Sequence, residues 1–133
     1  MISNKIIQIA LNTENFGLRN NFTHKATLRN KKCGDIIKIE INKLNNKIKN
    51  MRYETESCIF CQASASILSK KVSYLSTIKL QNQIKDIELY FKNEKIKLPN
   101  NLKMFREILN KKYRNRYDCI ILPFNALIKA LNI

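Results

Sequence analysis

The rhythm of apolar and polar positions changes partway along this chain. Residues from about 3 to 11 place Ile6, Ile7, Ile9 and Ala10 so as to predict a short amphipathic helix. Asn15-Phe16-Gly17 reads as a turn, and Thr23 to Leu28 as a first short strand. Between Ile36 and Ile41, apolar and charged residues alternate, with Ile37, Ile39 and Ile41 on one face, as in a half-buried strand. Asn45-Asn46 predicts a hairpin turn because Asn tolerates positive φ, and Ile48 to Thr55 returns as the partner strand. Antiparallel pairing puts the entrance of one strand beside the exit of the other.

Beyond this point the period becomes helical. Gln62 to Lys71 carries Ala63, Ile67 and Leu68, and Thr77 to Asn93 sets Leu80, Ile84, Ile87 and Phe91 at helical spacing. Leu98-Pro99-Asn100-Asn101 breaks the pattern, and Leu102 to Asn110 predicts a shorter helix through Phe105 and Leu109. A last helix is expected from Ile120 to Leu131, with Pro123 tolerable only in its first turn. Strands followed by helices, behind one leading helix, predict an α+β fold: a small three-stranded antiparallel sheet with helices packed on one face. The 133 residues fit one domain, 1–133.

Composition narrows the class. A hydrophobic fraction of 44% is that of a globular protein. No run of 18 apolar residues is present, so no membrane span is expected. Met1-Ile2-Ser3-Asn4-Lys5 lacks a long apolar stretch, which points to the cytoplasm. There, thiols stay reduced, and grouped cysteines serve metals or catalysis more often than disulfides. The net charge of +15 raises nucleic acid as a partner. Lys and Arg are spread along the chain, however, with one local cluster at Lys111-Lys112-Tyr113-Arg114-Asn115-Arg116, which reads as a solvated basic face. Such a surface equally suits an acidic protein partner.

The candidate chemistry lies in three short segments: Cys33-Gly34-Asp35, Cys58-Ile59-Phe60-Cys61, and Cys119 after Arg116-Tyr117-Asp118. Zinc takes tetrahedral sets of thiolate, imidazole and carboxylate, and Cys33, Asp35, Cys58 and Cys119 offer such a set. Gly34 allows a tight turn between two of these donors. Cys58-x-x-Cys61 is a metal-grip spacing entering a helix, but no second such pair follows, which disfavours a zinc ribbon or finger. The plainer reading, four thiols as small core hydrophobes, stands beside this one, above all for Cys61. Asp35 could simply cap a turn. His24 lies in a polar stretch and reads as no ligand. Ser64 and Ser66 read as packing and helix-start residues, with no histidine base nearby in sequence.

Taken in order, these segments resemble the SufU/IscU/NifU-N family of iron–sulfur cluster assembly proteins. The matching stretches are Asn30-Lys31-Lys32-Cys33-Gly34-Asp35, Cys58-Ile59-Phe60-Cys61-Gln62-Ala63-Ser64-Ala65-Ser66, and Arg116-Tyr117-Asp118-Cys119 with Leu122-Pro123-Phe124-Asn125-Ala126-Leu127. The long gap from Cys58 to Cys119, and Arg116 ahead of Cys119 with Asp118 between, resemble the SufU branch. The resemblance implies Cys33, Asp35, Cys58 and Cys119 as metal ligands, zinc as the ion, and a SufS-type cysteine desulfurase as partner. It implies Cys33 as the acceptor of persulfide sulfur, with Cys119 the second choice and Arg116 supporting. The alternative it implies is a scaffold on which a transient iron–sulfur cluster is built and passed to recipient proteins. A basic nucleic-acid-binding module with a structural zinc is the remote alternative from a different class. The chain departs from the family at Lys31, Ser57 and Phe124, where Pro, Gly and Trp are usual. Cys61 replaces a common Ser and could be an extra ligand or a relay thiol.

Overall fold

A computed structural model of the chain describes residues 2–133. Helix α1 (Asn4–Leu11) leads into strands β1 (His24–Arg29), β2 (Ile36–Leu44) and β3 (Lys47–Glu56). Helices α2 (Ile59–Lys71), α3 (Thr77–Lys92) and α4 (Tyr117–Leu131) follow. The strands form one antiparallel sheet in the order β1-β2-β3. The expected α+β architecture is therefore present.

The sheet follows from its alternation. Ile37, Ile39 and Ile41 of β2 are fully buried, as are Met51 and Tyr53 of β3, and α2 and α4 cover this face. Asn45 turns the hairpin at φ +57°, a conformation Asn accepts at low cost. Glu40, on the opposite face, is also buried; its Oε1 accepts from the Arg19 and Asn20 N–H groups at 2.9 and 3.1 Å. The Asn15–Gly17 turn lies along β3, where Arg52 donates to the Phe16 and Gly17 carbonyls at 2.7 and 2.9 Å.

Three elements differ from the sequence reading. The segment expected as a helix over Leu102–Asn110 is instead a 3₁₀ helix over Asn100–Phe105, followed by a turn. Leu102, Phe105 and Ile108 are fully buried, and a spacing of three suits three residues per turn. Helix α2 starts at Ile59 rather than Gln62. Helix α4 starts at Tyr117, three residues early, so Pro123 lies inside the helix rather than in its first turn. Proline has no N–H to give the Cys119 carbonyl four residues back. The next carbonyl, Ile120 O, accepts from the Ser64 hydroxyl of α2 at 2.7 Å. Ser64 thus acts as a buried tie between two helices.

Candidate metal centre

The hairpin brings the thiol segments to one end of the sheet. Ile36 pairs with both Arg29 and Glu56, so the loop before β2 and the exit of β3 meet there. In that loop Asn30 N–H donates to Asp35 O at 2.7 Å, and Gly34 N–H to Asn30 O at 2.8 Å. Gly34 sits at φ +77°, which side chains rarely adopt, so the turn presenting Cys33 and Asp35 requires glycine.

The Asp35 carboxylate, nearly buried, reaches the start of α2. Its Oδ2 accepts from the Cys58 N–H at 3.3 Å. Cys58 is the N-cap of α2 and makes no cap bond with its own side chain. Asp35 fills, from a distant segment, the place that a Glu at the third position takes in a capping box. This contact explains why α2 begins earlier than its own sequence suggests.

Cys119 enters from the first turn of α4. One sulfur of Cys33, one carboxylate oxygen of Asp35 and the sulfur of Cys119 all lie within 4.8 Å of one another. Sulfurs sharing a tetrahedral zinc at about 2.3 Å each would stand roughly 3.8 Å apart, so this group needs only a small contraction. Cys58 lies outside that three-way group but against the Cys119 side chain. Its thiol must turn to become the fourth donor. Burial pushes the Cys119 thiol well above its ordinary range, and the adjoining Cys58, Asp35 and Cys33 push it in the same direction. Three thiols and a carboxylate packed together suit a cation, and the donor set fits zinc.

Cys61 sits behind the site, fully buried, with its sulfur 3.9 Å from Thr55 Oγ1. Burial pushes its thiol up to about 12, partly offset by bonds from Ser57 and Thr55, with Asp35 and Cys58 adding to the rise. Arg116 is exposed, 5.8 Å from the centre of the Phe60 ring, and forms no ion pair with Asp35 among the described residues. His24 bonds Thr23 Oγ1 at 2.8 Å, at the end of β1 away from the thiols. Ser66 donates to the Asn12 carbonyl at 3.2 Å, a structural role. The sequence reading missed the Lys32–Asp118 ion pair at 3.3 Å, which ties the Cys33 loop to α4. Its signal was present: opposite charges stand immediately before Cys33 and Cys119. No helix is long and apolar enough to cross a membrane among the described residues.

Comparison with known proteins follows the same outline. The profile of the NifU-like N-terminal domain matches residues 1–102. An uncharacterized protein of Borreliella burgdorferi is 30% identical over 131 residues, 98% of this chain and 82% of that protein. A crystal structure of a nitrogen-fixing NifU-like protein (N-terminal) from Brucella abortus superposes with a TM-score of 0.82 at 21% identity, covering 98% of this chain and 91% of that one. That of a proposed iron–sulfur cluster assembly scaffold protein for the SUF system, from the thermophile Fervidobacterium islandicum AW-1, gives 0.82 at 21% identity, covering 97% and 95%.

Proposed function

We propose that this chain, which belongs to the NifU-like N-terminal domain family, works in iron–sulfur cluster assembly as a zinc-dependent acceptor of persulfide sulfur from a SufS-type cysteine desulfurase. The observation that carries this reading is the convergence of Cys33, Asp35 and Cys119 within 4.8 Å, with Cys58 beside them. Zinc, when bound, keeps its cysteine ligands as thiolates at neutral pH. Cys33, the exposed thiol, lies on the loop a partner can reach. Its thiolate attacks the outer sulfur of the desulfurase persulfide. The enzyme's sulfur–sulfur bond breaks, the enzyme cysteine leaves as thiolate, and the persulfide resides on Cys33. Cys119, buried at the start of α4, is the second choice as acceptor. Arg116, exposed three residues ahead of Cys119, supplies a permanent positive charge for the persulfide anion.

The test is desulfurase turnover with and without the chain, alongside metal analysis. Wild type should copurify with about one zinc per chain and stimulate turnover. Cys33→Ala should remove the stimulation, and stripping the metal with a chelator should do the same. An unstimulated desulfurase with fully metallated wild type would sink the reading.

A second reading, a scaffold for a labile iron–sulfur cluster, is favoured by the likeness to the Fervidobacterium protein. The same three thiols and carboxylate suit iron. Anaerobic reconstitution with iron and sulfide, then transfer to an apo-ferredoxin, separates the two. A chain that gains no visible absorbance is an acceptor only.

A further inference from the structure

We infer that Cys58 and Cys61 form a dithiol–disulfide pair that reacts with small disulfides and withdraws Cys58 from the metal-binding set. Cys58 is the extended N-cap of α2, and its carbonyl accepts the Gln62 N–H at 3.1 Å, so the first turn closes over residues 58 to 62 and sets Cys61 one turn from Cys58. Positions three apart on a helix have Cα atoms about 5 Å apart, inside the window of roughly 4.4–6.8 Å that a disulfide needs. The Cys61 sulfur points back along the helix, toward Thr55 at 3.9 Å and toward Ser57, the residue before Cys58. Cys58 therefore stands between two neighbours: Cys119 on the metal side and Cys61 on the core side.

Accessibility fixes the order of events. Cys61 is 0% exposed, whereas Cys58 is half-buried at the surface. Of this pair, a glutathione-type disulfide meets Cys58 before Cys61. The Cys58 thiolate attacks one of its sulfurs, forming a mixed disulfide and expelling one thiolate. The Cys61 sulfur then attacks Cys58 Sγ, and the second small thiol leaves with the Cys61 proton. Two cysteines are oxidised by two electrons, and the small disulfide is reduced to two thiols. The pair itself does not depend on the proposed function; its effect on metal binding does.

The test uses the metal-free full chain in glutathione redox buffers, read by intact mass and peptide mapping. Wild type should lose two hydrogens with Cys58 joined to Cys61. Cys61→Ser should keep a mapped glutathione adduct on Cys58, separate from any on the exposed Cys33, with a thermal melt showing that the variant is folded. Cadmium titration of the oxidised chain should show charge-transfer absorbance from two thiolates rather than three. A disulfide from Cys58 to Cys119 or Cys33, or a persistent glutathione adduct on Cys58 of wild type, would overturn the inference. A mapped Cys58–Cys61 bond in a chain that fails to stimulate desulfurase would support the pair and count against the proposed function alone.

Discussion

Replacing Cys61 by Ala should make the metal-free chain less sensitive to alkali. Burial raises this thiol from an ordinary 9.0 to about 12. The folded chain therefore holds the Cys61 proton more tightly than the unfolded chain does. That preference contributes its full stability below the unfolded value and is lost as pH climbs from 9.0 toward 12. Each pH unit in that window costs about 1.4 kcal/mol for one group. At about pH 10, one unit above the unfolded value, wild type should have lost about 1.4 kcal/mol through Cys61 alone. With a urea slope of about 1–3 kcal/mol/M, that is a fall of roughly 0.5–1.4 M in midpoint. Cys119 and Tyr53 are shifted in the same direction and both remain in the variant; Cys61 is only a lesser cause of the Tyr53 shift, behind burial, so the difference between the two curves reports mainly Cys61. The cavity left by the lost sulfur lowers stability at every pH and changes no slope. The assay is urea denaturation of chelator-stripped wild type and Cys61→Ala from neutral to alkaline pH. Parallel curves for the two proteins would refute the reasoning, because they would mean that Cys61 ionises as readily folded as unfolded.

Two further changes probe the frame around the thiols. Asp35→Ala should destabilise the metal-free chain by about 1 kcal/mol, through loss of the bond to the Cys58 N–H, and Asp35→Asn by less because an acceptor remains. Both should weaken zinc binding in competition with a chromophoric chelator, and equal zinc affinity in all three proteins would exclude Asp35 as a donor. Phe105→Ala should cost about 3–5 kcal/mol in urea denaturation, since the ring is fully buried with its centre 5.1 Å from that of Phe124. A loss under about 1 kcal/mol would contradict the packing described.

The hairpin was legible because its signals are local. Ile37, Ile39 and Ile41 alternate within six residues, and Asn45 supplies its own turn. The gathering of Cys33 and Cys58 followed from pairing alone, before any side chain was placed. The starts of α2 and α4 were misplaced because they depend on distant partners. Asp35 reaches α2 across 23 positions, and Ser64 reaches α4 across 56. The 3₁₀ helix after Pro99 was mistaken for an α-helix because a spacing of three or four fits both periods over so short a stretch. The place of Cys61, behind the other thiols rather than among them, needed the path of α2 to be known.

Pro123 and Ser64 also carry a mechanical meaning. The proline loosens the coil just past Cys119, while the serine lashes that stretch to the helix bearing Cys58 and Cys61. A partner that tugs on the opening turn of α4 therefore pulls on both sulfur-carrying helices together. The two backbones are geared to one another, while each thiol keeps its own rotation.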